Sequence, residues 1–150
     1  MARLDICVHG TPLAEACPKC LEFNEMEQQH RPKANDRQVG GDHWQAEYQH
    51  WDFVGDIGLG YLGGCATKYV FRWRNKNGLV DLEKAIHYVE KMMEVQPARP
   101  IMSLRISECL TRFVLQCKPD DGHIIAAIVH GNYKRAAENI QRLIDRHTPA

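Results

Sequence analysis

Apolar residues recur three and four positions apart at Leu79, Leu82, Ile86, Val89 and Met93, which predicts an amphipathic helix of about four turns. Asp81 in its first turn and Lys91 further along both suit the helix dipole. The segment before it carries a second pattern. Leu62, Ala66, Tyr69 and Trp73 fall along one helical stripe, while Lys68, Arg72 and Lys76 fall along another at i, i+4 and i+8. Asn77-Gly78 separates the two segments and accepts positive φ, so the chain stops one helix there and turns into the next. A helical hairpin with one packing face and one cationic face is the expectation.

The flanks extend this reading. Trp51, Phe53, Val54 and Ile57 predict a short amphipathic helix, and Gly55, Gly58, Gly60, Gly63 and Gly64 make the approach to the hairpin rich in glycine. Pro97 and Pro100 break the second hairpin helix from the next segment. Ile106, Leu110, Phe113, Val114 and Cys117 form a further helical stripe, and Pro119-Asp120-Asp121-Gly122 reads as a turn. Ile124, Ile125, Ile128 and Val129 then predict a short buried helix ended by Gly131-Asn132. Tyr133, Ala136, Ala137, Ile140, Leu143 and Ile144 line a last one. Strand-like alternation is scarce, so the expected fold is all-α, with about five helices around the hairpin and packing set by antiparallel neighbours. The expected organisation is a zinc knuckle over 1–23, a polar linker over 24–38 and a helical domain over 39–150. Within that domain a core spans 39–95 and a C-terminal helical extension spans 101–147.

Charge narrows the partners. Lys+Arg and Asp+Glu both number 19 in 150 residues, so a strongly basic, non-specific nucleic-acid binder is disfavoured. A local patch at Lys68, Arg72, Arg74 and Lys76 suits small anionic ligands better. No run of about 18 apolar residues and no signal-like N-terminus occurs, which predicts a soluble cytoplasmic protein without a membrane span. In a reducing compartment the six cysteines are thiols or metal ligands sooner than disulfides. Cys7-x-His9 and Cys17-x-x-Cys20 offer four ligands across a loop holding Gly10 and Pro12. Their spacing predicts a closed, structural zinc site, against the alternative of four unliganded side chains on a flexible arm. Cys65, Cys109 and Cys117 lie in apolar patterns and read as buried thiols.

A family resemblance rests on two runs. Gly40-Gly41-Asp42-His43-Trp44-Gln45 is followed by Lys68-Tyr69-x-x-Arg72-x-x-x-Lys76-x-Gly78-x-x-Asp81-Leu82-Glu83-Lys84-Ala85-x-x-Tyr88. Their order and spacing, over Val39 to Val95, resemble a small domain of tailed bacteriophages, one member of which is a podophage early nucleotide kinase. The resemblance implies a phage protein in the cytoplasm of an infected host, and an activity that phosphorylates deoxynucleoside monophosphates. Two positions depart from the pattern: Cys65 stands where relatives usually carry Asn, and a Pro is missing near Gln49-His50-Trp51. No Gly-x-x-x-x-Gly-Lys-Ser/Thr motif occurs, so such a kinase would not be of the P-loop type.

On that reading Lys68, Arg72 and His43 are the expected catalytic residues, and Asp42, Trp44, Tyr69, Lys76, Asp81 and Lys84 the nucleotide-binding ones. Phosphoryl transfer needs positioned cations, with or without magnesium, and His43 supplies a base or a phosphate hydrogen bond. Trp44, Tyr69 and Tyr88 offer faces on which a base stacks. Each has a plainer alternative: the cations solvated or paired with Asp81, Glu83 or Asp56, the aromatics packed in the core. Glu83, His87 and Glu90 share a helix face and read as solvated sooner than as an ion site. Three functions stay open: a nucleotide kinase, a module that captures a nucleotide without turnover in counter-defence, and a factor that docks on a host protein through the knuckle and C-terminal helices. A homo-oligomer is compatible with all three.

Overall fold

The computed structural model describes residues 17–19, 21–22, 33–37, 39 and 46–149. The chain divides into two compact units, 1–38 and 39–150. In the first, Cys17 is buried and its carbonyl accepts the amide of Leu21 at 3.0 Å, closing a helical turn, and Ala34–Asp36 forms an exposed 3-10 turn. Cys7, His9 and Cys20 of the expected knuckle lie outside the described residues.

The second unit is all-α, with six helices and no strand among the described residues. They are α1 (His50–Ile57), α2 (Tyr61–Arg72), α3 (Leu79–Val95), α4 (Leu104–Leu115), α5 (Pro119–Val129) and α6 (Tyr133–His147). Helix α2 tightens into a 3-10 turn at Trp73–Asn75 before the chain reverses. Gly78 makes the reversal at φ +59°, a left-handed conformation that an L side chain adopts only under strain. Helix α4 starts at Ser103, whose hydroxyl accepts the Ile106 amide. The expected turn at Pro119–Gly122 is instead the first turn of α5. Pro119 takes the first helical position, where its missing N–H costs nothing, and Asp120 and Asp121 face the positive end of the dipole.

Four helices close a ring of contacts, α2 on α3, α3 on α6, α6 on α5 and α5 back on α2, while α1 and α4 pack on each other and against the α2 and α5 side. This explains a shift in the α3 seam. The sequence pattern points to Leu79, Leu82, Ile86, Val89 and Met93, but the most buried positions are Asp81, Leu82, Ala85, Val89 and Met92. Helix α3 is covered by α2 on one side and α6 on the other, so its buried face is broader and rotated relative to a one-sided stripe. Under α1 and α4 the core is aromatic: Phe53 stacks on Phe113 at 4.2 Å, with Phe71 and His50 against the same ring. No described helix is long and apolar enough to cross a membrane.

Candidate site on the α2–α3 hairpin

The last two turns of α2 and the first turns of α3 bring five of the sequence-predicted residues together. Asp81 is fully buried, and Arg72 grips it with both arms of its guanidinium, Nε to Oδ2 at 2.9 Å and Nη2 to Oδ1 at 3.2 Å. Asn77 donates to Oδ1 at 3.0 Å, and the Lys84 ammonium stands 3.8 Å from the same oxygen. Burial alone would raise the Asp81 carboxyl. The hydrogen bonds from Arg72 and Asn77, with the charges of Arg72 and Lys84, outweigh it and hold the group below the usual carboxylate range. Asp81 is therefore an anion that fixes Arg72 across the hairpin.

Around this lock the cations converge on one ring. Lys68 Nζ lies 4.6 Å, Arg72 Cζ 4.7 Å and Lys84 Nζ 5.6 Å from the centre of Tyr69. Tyr69 is half-buried and stacks on Tyr88 of α3 at 5.8 Å, and Tyr88 meets Tyr61 edge to face at 6.2 Å. The neighbouring Tyr61 hydroxyl, then the Cys65 thiol, raise the Tyr88 phenol above its ordinary value. Cys65, one turn from Tyr61 and one from Tyr69, is therefore part of this aromatic row. Tyr61 is 75% exposed and leaves most of its ring open to solvent. The expected i, i+4, i+8 cation stripe is broken at its end. Lys76 lies beyond the 3-10 turn and is exposed, and Lys84 from the opposite helix takes the third place at the ring. Asp42, His43 and Trp44 lie outside the described residues.

Arg74, two residues from Arg72, serves a different carboxylate. It grips Asp121 of α5 at 2.9 and 3.2 Å, the Trp73 indole N–H donates to the same carboxylate at 3.1 Å, and the guanidinium covers the Trp73 ring. Two further polar pairs leave no mark in the sequence pattern. Gln116 brackets the backbone of Tyr48, donating to its carbonyl at 2.6 Å and accepting its amide at 3.3 Å. His50 is buried with Nε2 2.9 Å from the Thr67 hydroxyl. That hydroxyl donates its one proton to the Gly63 carbonyl, so it must accept from His50, which places the imidazole proton on Nε2. Burial, then the charge of Lys68, lowers the His50 pKa to about 4. His50 is held neutral and packs as part of the core.

Among the described residues no group of three or more His, Cys, Asp and Glu side chains could hold a metal ion, and Glu83, His87 and Glu90 form no such group. Cys65 and Cys109 are half-buried thiols, and burial pushes the half-buried Cys117 thiol up to about 12. Compared with protein-family models, with curated proteins and with solved structures, the chain finds no match.

Proposed function

We propose that the α2–α3 hairpin binds a nucleotide, with its phosphate at Lys68 and Lys84 and its base against the Tyr61–Tyr88 rings, and that the bound nucleotide is a deoxynucleoside monophosphate acceptor in phosphoryl transfer. The observation that carries the binding step is the convergence of three cations on Tyr69 beside a single buried carboxylate. Asp81 balances one of them and leaves two net positive charges, which matches the dianion of a phosphate monoester near neutral pH. Arg72 contributes charge but its donor fork is engaged by Asp81. The ammonium groups of Lys68 and Lys84, which carry rotatable donors, are the ones suited to meet phosphate. Tyr61 and Tyr88 offer aromatic area beside them, and base stacking on such rings is worth about 1–3 kcal/mol.

Transfer itself rests on the resemblance of Gly41-Asp42-His43-Trp44 and Lys68-Tyr69-x-x-Arg72 to the phage kinase domain, with His43 as a base or a hydrogen-bond donor to phosphate and Asp42 and Trp44 completing the nucleotide contacts. A second reading, capture without turnover, is favoured by Cys65. It lies against Tyr88 where relatives carry Asn, so a strong donor and acceptor is replaced by a weak one beside the base platform. Zinc at Cys7, His9, Cys17 and Cys20 would tie the N-terminal unit, holding structure with no open ligand position.

The test combines a coupled assay of diphosphate formation, in which ATP or a deoxynucleoside triphosphate gives its terminal phosphoryl group to a deoxynucleoside monophosphate and leaves as the diphosphate, with and without magnesium, and a thermal-shift titration of the monophosphates. Both are run on wild type and Lys84→Ala. Turnover and a thermal shift that both fall in Lys84→Ala support transfer at this site. A shift without turnover supports capture, and neither would turn attention to a protein partner. An equimolar zinc content lost in Cys17→Ser would support the knuckle.

A further inference from the structure

Helix α6 has a wet side that the hairpin reading does not use. A cavity of about 810 Å³ opens between the C-terminal end of α3, at Met93 and Gln96, and the first three turns of α6. A second of about 540 Å³ lies between α6 and the start of α5, at Asp120, His123 and Ile124. Arg135, Asn139 and Arg142 line both and form the ridge between them. A solvated helix face is ordinarily convex; this one is flanked by two open, mostly polar depressions.

The charges in the larger cavity are uneven. Lys134, Arg135 and Arg142 line it with one acid, Glu138, in a chain whose formal charge is zero. Glu138 stands four residues from Lys134 and three from Arg135, spacings at which helical ion pairs form, yet among the described residues it pairs with neither. Arg142 is oriented by a hydrogen bond from its Nη1 to Asn139 Oδ1 at 3.1 Å, which leaves its remaining N–H groups for a ligand. Arg146, further along, is already engaged with Asp120 at 2.8 Å and lines only the smaller cavity. Asn132 and Gln96 add amide donors and acceptors to the rim.

We propose that this cavity is a second anion site, which takes the phosphate of a small phosphate-bearing molecule between Arg135 and Arg142, with Lys134 at its edge. Three cations against one carboxylate leave two positive charges, and guanidinium groups match phosphate through paired N–H donors. The Asn and Gln side chains then meet the polar body of the ligand. The site shares no residue with the hairpin cluster and stands whether or not the hairpin binds a nucleotide.

The experiment is an amide and arginine Nε–Hε NMR titration of the full chain with inorganic phosphate, pyrophosphate and, as a non-phosphate dianion, succinate. Saturable shifts at Lys134, Arg135 and Arg142 with pyrophosphate and phosphate, weakened tenfold or more in Arg135→Ala and in Arg142→Ala, are expected. Arg105→Ala, an exposed arginine on α4, should leave the affinity unchanged. All three positions are exposed enough that the variants fold, which the retained dispersion of core methyl signals checks. Non-saturating shifts, equal loss in Arg105→Ala, or succinate binding as tightly as phosphate would each overturn the assignment.

Discussion

Two arginine–aspartate forks, built from adjacent parts of one segment, do different work. Arg72 with Asp81 and Arg74 with Asp121 have the same pair of distances, 2.9 and 3.2 Å. The first closes a loop of nine residues inside the hairpin, in a setting where Arg72 is 11% exposed and Asp81 fully buried. The second joins positions 47 residues apart and leaves Arg74 about a third exposed. One shapes a cationic face by holding Arg72, with Lys84 nearby, beside Tyr69. The other staples the hairpin to α5 through Arg74 and the Trp73 indole. A carboxylate can thus present charge or spend it, and what decides is whether other cations gather round it.

The sharpest way to break the comparison is to remove each carboxylate. Asp81→Ala strands a guanidinium with little access to water and takes a partner from Asn77, so unfolding free energy should fall by about 3–5 kcal/mol, as for a broken buried ion pair. Asp121→Ala should cost about 2–3 kcal/mol, because the Trp73 N–H loses its buried acceptor while Arg74 can rehydrate at its exposed edge. Urea unfolding at pH 7.5 reads both. Equal losses would mean that the difference in exposure between the arginines carries no energetic weight.

The pH of that measurement matters because of His50. Its pKa is lowered from 6.5 to about 4, so the unfolded chain takes up a proton at a higher pH than the folded one. The stability tied to neutral His50 is complete above about pH 6.5 and drains away as pH falls toward 4. At about 1.4 kcal/mol per unit the loss approaches about 3 kcal/mol. The Asp81 fork acts at lower pH, since a depressed carboxyl stays ionised after ordinary carboxylates have taken up protons. His50→Gln keeps a donor for Thr67 and should flatten the slope of stability between pH 6.5 and 4. An unchanged slope in that variant would assign the acid sensitivity elsewhere.

These features are unevenly legible in the sequence. The hairpin, its reversal at Gly78 and the helices after Pro100 follow from periodicity and turn chemistry, which are local. Asp81 is legible as a partner for the hairpin's cations because it stands nine residues from Arg72, within reach of the turn. Asp121 reads as part of a turn and Arg74 as one more cation, because a partner 47 positions away leaves no periodic trace. The same limit hides His50–Thr67 and Gln116–Tyr48, each fixed by packing between helices. Lys76 joins the cation stripe only if α2 is extended as an ideal helix, whereas the chain tightens at Trp73 and carries Lys76 past the helix end. Lys84 reaches Tyr69 from α3, a contact visible only once the hairpin is closed.

A smaller effect sharpens the role of the local fork. Asn77 donates to Asp81 from an exposed position, so Asn77→Ala should lower stability by about 1 kcal/mol, the net value of such a bond. At Asp121 the third donor is instead the buried Trp73 indole. A loss in Asn77→Ala as large as in Asp121→Ala would place the turn, and not the fork, at the centre of the hairpin.

The smallest expected change in stability separates structure from function most cleanly. Lys84 is 45% exposed and 3.8 Å from Asp81, a pair that solvent screens, so Lys84→Met should shift unfolding free energy by no more than about 0.5 kcal/mol. The methionine keeps the stem that packs near Tyr69 and removes only the charge. If the hairpin cluster meets phosphate as proposed, the variant loses one of the two unbalanced positive charges. Its affinity for a deoxynucleoside monophosphate should then fall about tenfold, equivalent to about 1.4 kcal/mol. Arg74→Met, at the fork that spends its charge, should show the reverse: a clear loss of stability with nucleotide affinity unchanged. Isothermal titration of the two variants beside their urea curves decides it, and nucleotide affinity that follows stability in both would remove the distinction between a presenting and a stapling fork.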